Sequence, residues 1–304
     1  MKENVLITGG TGLIGKRLSQ LLVKEGFEVS HLSRRSNPDA PYKTYTWDLQ
    51  NKNIEAAALE SSHHIVHLAG AGIADKSWTS KRKKEIRDSR VQSGELIAEV
   101  LSKNPYNIKS FIAASGISIY GIDTGDRPLD EDSPAEGEHF LRDVSVDWEQ
   151  ASQLVQSQAG IRTVMLRTGI VLSPDGGALP KLIQPIKMGA GAALASGKQY
   201  MSWIHLDDLC AMYIHAIKNT SLKGAYNAVG PKPVTNAEMT KVAARVLKMP
   251  LILPNVPTFA LRLMLGQLAD LVIGGNWVSS EKITQTGFNF QYPELEPALK
   301  DLLT

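Results

Sequence analysis

The 304-residue chain holds one cysteine, Cys210. That excludes an intramolecular disulfide and a cysteine-rich zinc site, and it fits a reducing compartment. No apolar run reaches the roughly 18 residues a membrane helix needs. The nearest approach, 257–273, is broken by Arg262, Gln267 and Asp270. No charged-then-apolar leader precedes the first apolar run at Val5. Charge of one sign is also missing: 33 Lys and Arg stand against 31 Asp and Glu, leaving +2. Such balance argues against nucleic acid as a partner. No fixed-period repeat occurs. These absences leave a cytoplasmic globular protein with no membrane role. One further gap matters below: no tyrosine lies between Tyr120 and Tyr200, and no lysine between Lys109 and Lys181.

What is present is an alternation of short apolar runs and helical patterns. Strands are expected at 5–8, 28–33, 65–68, 110–114 and 162–167, with a third strand that Asp48 follows. Helices are expected at 12–25, 81–103 and 147–159. Runs such as VLI, HIVHL, FIAA and TVML are apolar at consecutive positions, as strands buried on both faces are. The pattern predicts an α/β chain with a Rossmann doubly wound parallel sheet. From about residue 172 the chain turns rich in Gly, Pro and Ala, with helices expected at 236–248 and 257–273. We expect a cofactor domain over 1–171, completed by 201–230. A smaller, discontinuous C-terminal substrate lobe then takes 172–200 and 231–304.

The first strand runs into Thr8-Gly9-Gly10-Thr11-Gly12-Leu13-Ile14-Gly15. Glycines at 9, 12 and 15 suit a tight turn, a close approach of backbone to a pyrophosphate, and close helix–strand packing. The following helix offers its unpaired N–H groups to the phosphates. An NAD site would close the second strand with a carboxylate, yet this one ends Ser33-Arg34-Arg35. Guanidinium groups suit a 2′-phosphate, so NADP(H) is the expected cofactor; the alternative is that both arginines are solvated loop charges. Asp48 reads either as an adenine contact or as a turn-capping aspartate. Leu68-Ala69-Gly70 ends a strand with small residues, which lets a ligand lie close to the backbone.

These residues resemble the short-chain dehydrogenase/reductase superfamily, in its extended, sugar-nucleotide-epimerase-like form. The likeness is closest to an atypical epimerase-family branch with a small C-terminal domain of unknown function. It is carried by TGGTGLIG (8–15), HLAGAGIADKSWT (67–79), LDEDSPAEGEHFL (129–141), LRTGIVLSPDGGALPKL (166–182), SGKQYMSWIHLDDL (196–209), NAVGPKPVTNAEM (227–239) and TGFNFQYPELEPAL (286–299). The resemblance implies cofactor contacts at Gly9, Thr11, Gly12, Leu13, Ile14, Ser33, Arg34, Leu68, Ala69, Glu85 and Arg90, with Ile170 and Val171 beside the nicotinamide. Arg90 replaces the group's usual Asn, and its charge serves a phosphate or substrate, or is an ordinary helix-surface charge. The resemblance also implies a small-molecule substrate of nucleotide-sugar type and leaves room for a homodimer.

The superfamily's proton relay is similar across its members: a Tyr acts as acid/base and a Lys four residues on lowers its pKa. Counting from Glu149 puts Leu141 at the Tyr position and Ser145 at the Lys position. The expected Ser/Thr, four residues before Tyr120, is Gly116. Ser115, Ser118 and Tyr120 are then the candidates for replacement chemistry. His63, His64 and His67 lack zincin spacing, so no metal is expected. In His205-Leu206-Asp207-Asp208, an aspartate is expected to cap a helix.

Overall fold

Neighbouring residues in the apolar runs divide between two buried layers. Val5, Ile7, Ile112, Val164 and Leu166 join one cluster, while Leu6, Phe111, Ala113 and Met165 join another. That is the signature of a sheet covered on both faces. The computed structural model describes residues 2–304. Its first half comprises β1 (Asn4–Thr8), α1 (Leu13–Lys24), β2 (Glu28–Ser33), β3 (Lys43–Asp48), β4 (Asn53–Ile54), α2 (Ala56–Glu60), β5 (His64–His67), α3 (Ser80–Lys103) and β6 (Ser110–Gly116). There follow β7 (Gly125–Leu129), α4 (Phe140–Ala159), β8 (Arg162–Thr168), β9 (Ile170–Leu172), α5 (Leu179–Lys187), β10 (Tyr200–Met201), β11 (Trp203–His205), α6 (Leu206–Lys218) and β12 (Gly224–Ala228). The chain ends through β13 (Val234–Thr235), α7 (Asn236–Val246), α8 (Thr258–Leu265), α9 (Asp270–Ile273), β14 (Asn276–Val278), α10 (Glu281–Thr284) and α11 (Leu295–Leu303).

Eight strands form the main sheet in the order β12-β8-β6-β5-β1-β2-β3-β4. All pairs are parallel except β3 with β4. The chain leaves β1 toward β2 and β3 on one side, and later continues through β5, β6, β8 and β12 on the other. The gap between β1 and β5 at their C-terminal ends is therefore a topological switch point, where open α/β sheets hold ligands. A third cluster lies beyond the sheet, where Leu179, Ile183, Trp203, Met239 and Leu299 meet.

Four expectations need correction. The helix expected from 147 begins at Phe140, because His139 Nδ1 caps it by accepting from Leu141 N at 3.2 Å. The helix expected over 257–273 is interrupted: Gly266 takes φ +57° and ends α8. A 3₁₀ turn follows before α9. Phe259, Leu263 and Met264 on α8 face solvent. The cap of α6 is His205 and neither aspartate. Asp207 instead makes two 2.6 Å bonds with Arg17 of α1, and Asp208 accepts from Gln291 N and Tyr292 N. Lastly, 231–304 is not confined to the outer cluster, since Ile283 and Phe288 pack into the sheet's core beside α6.

Candidate cofactor cleft

Local backbone geometry builds the site first. Gly9 takes φ +72°, and a Cβ there would stand 3.0 Å from the Leu68 carbonyl carbon. Gly12 N donates to Gly9 O at 3.0 Å, closing the turn into α1. A Cβ on Gly15 would come within 2.4 Å of Gly9 O, so only glycine lets α1 start this close to the loop. Gly15→Ala is expected to lower stability by about 1–3 kcal/mol through forced backbone shifts. Urea unfolding measures this, as a lower midpoint at constant slope. No side chain caps α1, and its first turn carries no carboxylate, so its N–H groups stay available to an anion.

A cleft of about 870 Å³ opens over this loop. Gly9, Gly10, Thr11, Gly12, Ser33, Arg34, Arg35, Leu68, Ala69, Gly70 and Glu85 all line it. Arg34 and Arg35 are exposed and form no ion pair among the described residues. Glu85 is taken by Arg82 at 2.7 Å, which with nearby Lys76 and Arg34 holds its carboxyl below the usual range. The cleft end near Arg34 therefore carries net positive charge. Sequence reading missed Lys16, Tyr42, Thr44, Lys76, Arg82 and Ser89, which also line it. The signal for three wall residues was present: 82, 85 and 89 share one face of α3.

Other expected contacts sit elsewhere. Leu13 and Ile14 pack against the core, and Gly15 lies beneath the loop. Asp48 is not in the lining. Its carboxylate accepts from Gln50 N, Asn51 N and Asn51 Nδ2, so it is the turn-capping aspartate, while Trp47 and Leu49 face the cleft. Ile170 packs toward the outer cluster and Val171 toward the sheet core. Arg90 lies behind the wall, buried against Trp148.

Beneath the wall runs a chain of buried polar groups. Thr8 Oγ1 accepts from Leu68 N and Ala69 N, both at 3.1 Å, so its own proton goes to His67 Nδ1 at 2.8 Å. His67 then donates from Nε2 to Ser93 Oγ at 3.0 Å. The ring is neutral, and burial pushes its pKa down to about 4. An unfolded histidine takes up a proton near pH 6.5, whereas native His67 does not until about pH 4. The stabilisation is thus complete above about pH 6.5 and is lost as pH falls through 4. The linkage is worth about 3 kcal/mol. Denaturation midpoints measured from pH 7 to 4 should fall, and His67→Gln should flatten that fall.

The three candidates for replacement chemistry are differently placed. Ser115 Oγ donates to Glu149 Oε1 at 2.7 Å, and Glu149 also holds Arg167 through two bonds of 2.8 and 2.9 Å. Tyr120 is fully buried. Its hydroxyl donates to Asn227 Oδ1 and accepts from Arg167 Nη1, and burial raises its pKa to about 12. A group so enclosed cannot touch a substrate, which corrects its candidacy. Ser115 belongs to the same closed network. Ser118 Oγ pairs with Ser145 Oγ at 2.8 Å, in the space a side chain at Gly116 would enter. Leu141 packs with Trp78, Ile86 and Val144.

A parallel sheet of this order, with a glycine-walled cleft at its switch point, defines a Rossmann protein of the short-chain dehydrogenase/reductase type. The chain belongs to the NAD dependent epimerase/dehydratase family, whose sequence model matches residues 5–229. A domain of unknown function (DUF1731) matches 256–302. Epimerase family protein YfhF of Bacillus subtilis is 35% identical over 303 residues, covering 99% of this chain and 98% of that one. The crystal structure of human epimerase family protein SDR39U1 (isoform 2) with NADPH has 32% identity and a TM-score of 0.89 over 98% of each chain. A nucleoside-diphosphate sugar epimerase from Corynebacterium glutamicum, also 32% identical, has a TM-score of 0.81, over all of this chain and 58% of that one. A UDP-glucose 4-epimerase from Thermotoga maritima, 17% identical, shares the fold at a TM-score of 0.78.

Proposed function

We propose that the protein binds NADP(H) and acts as an oxidoreductase or epimerase-like enzyme that works without the Tyr-x-x-x-Lys pair. The observation that carries this reading is the continuity of the glycine-walled cleft with two unpaired arginines, Arg34 and Arg35, where an NAD site would place a carboxylate. Gly9–Gly12 and the open end of α1 suit the pyrophosphate, and the two arginines suit a 2′-phosphate. The human relative crystallised with NADPH supports the same choice. When bound, the cofactor supplies or accepts a hydride.

The protein's own residues bind, orient and exclude water. The Leu141 cluster keeps the region beyond Gly70 apolar, and the Ser118–Ser145 pair offers hydroxyls where the family's relay would stand. The substrate lobe is assigned to 172–200 and 231–304, less the stretch around Ile283 and Phe288. Nucleoside-diphosphate sugars are the first substrate class to try, on the likeness to the Corynebacterium glutamicum protein. A second reading, a non-catalytic NADP(H) sensor or scaffold, is favoured by Leu141 and Ser145 standing at the relay positions.

Titration with NADPH and NADH tests the cofactor: preference for NADPH is expected, and equal affinities would overturn the role given to Arg34 and Arg35. Screening sugar nucleotides, quinones and carbonyl compounds for NADPH oxidation then separates enzyme from sensor. Silence throughout, with NADPH still bound, selects the sensor.

A further inference from the structure

The six most exposed large apolar side chains among the described residues all lie between 188 and 264: Met188, Ile252, Leu253, Phe259, Leu263 and Met264. The backbone brings their two segments together. A Cβ on Gly191 would stand 2.8 Å from Leu251 Cδ2, Leu194 pairs with Val256, and Asn255 Nδ2 donates to Ala195 O at 3.2 Å. α8 starts at Thr258, directly after this ribbon, and buries only Leu261. Phe259 and Leu263 share one face of α8, four residues apart, with Met264 beside them. A monomer rarely leaves so much apolar surface bare in one region without a use for it.

The charge carried by the same segments is one-sided. Residues 176–206 and 239–269 hold seven Lys and Arg and no Asp or Glu, in a chain whose total is +2. Arg245 and Arg262 pair with Glu296 and Asp270 at 3.0 and 3.3 Å. The other five, Lys181, Lys187, Lys198, Lys241 and Lys248, are exposed and make no ion pair among the described residues. Lys187 adjoins Met188 and Lys248 stands three residues before Leu251, so these two border the patch along the chain.

We propose that this face docks on the surface of an anionic lipid bilayer, with Phe259, Leu263 and Met264 in the headgroup layer and Lys187 and Lys248 on lipid phosphates. No helix among the described residues is long and apolar enough to cross a membrane, so the contact is peripheral. The expectation of no membrane role rests on the lack of a spanning run, and a peripheral contact needs none. A second copy is the rival occupant, and charge decides against it. Joining two of these faces sets the same lysines against each other, whereas phospholipid supplies the opposite sign. Leu268, just past α8, packs with Trp78, Phe140 and Leu141, so docking also brings the apolar region beyond Gly70 to the lipid.

The inference stands apart from the cofactor reading and is tested on the full chain without NADPH, by sedimentation with vesicles. The parent should bind vesicles of phosphatidylcholine and phosphatidylglycerol in equal amounts, stay free of phosphatidylcholine alone, and be released in part by salt. Phe259→Ser with Leu263→Ser should weaken binding at least about 10-fold. Lys187→Gln with Lys248→Gln, which leaves the apolar face intact, should weaken it about 10- to 30-fold. A parent that ignores both vesicles, or binds both equally, overturns the proposal, and this comparison needs no variant to fold. Parent-like binding by both double variants overturns it too. A parent that is dimeric by sedimentation velocity, turns monomeric with Phe259→Ser and Leu263→Ser, and ignores vesicles gives the face to a second copy instead.

Discussion

Arg167→Met is expected to destabilise the fold by about 3–5 kcal/mol, the cost of leaving one member of a buried ion pair behind. Arg167 and Glu149 have side chains only 11% and 12% accessible, so water cannot take over the carboxylate. The guanidinium also donates to the Tyr120 hydroxyl and to Glu131 O, tying β8 to the turn after β6 and to the loop after β7. Urea unfolding of the single variants, and of Arg167→Met with Glu149→Gln, forms a double-mutant cycle. The double variant should lose less than the sum of the singles, because neither partner is then left charged alone. A single-variant loss under about 1 kcal/mol would mean that solvent reaches the pair after all.

The second large effect concerns ligand choice. Arg34→Ala with Arg35→Ala is expected to weaken NADPH binding by about 100-fold or more, since hydrogen bonds to a charged group are worth about 1.5–3 kcal/mol each. NADH, which has no 2′-phosphate, should bind the variant as it binds the parent. Measured against salt, the parent's NADPH affinity should fall more steeply than the variant's, because exposed charges are screened. Equal losses for both cofactors would point to a collapsed loop and away from phosphate recognition.

The parts of this molecule legible in the sequence are those governed by neighbours along the chain. The glycine loop could be read because its requirements, a left-handed residue at 9 and close approach at 15, are local. Arg34 and Arg35 were legible because β2 ends where the pattern says it should. The wall built by Arg82, Glu85 and Ser89 was not assembled beforehand, although Glu85 alone had been singled out by resemblance. Its polar face lies on a helix read mainly for its apolar side. The chain from Thr8 through His67 to Ser93 joins positions 59 and 26 residues apart, and only the folded sheet brings them together. Asp48 stayed open between two readings, and the α6 cap fell to His205, for a related reason: several polar groups compete for each backbone N–H, and local spacing does not name the winner. Gly266 ends α8 inside an apolar stretch whose periodicity argued for continuation.

The placement of Ile283 and Phe288 has a bearing on synthesis. Both fill the sheet core beside α6, so that half of the molecule needs residues near the far end of the chain. A ribosome that has delivered every strand of the sheet, through Ala228, has not yet delivered these two plugs. The nascent sheet must therefore wait, with one apolar seat open, until Ile283 and Phe288 have been added. A chain cut short before Ile283 keeps every glycine of the 9–15 loop and still cannot close its core.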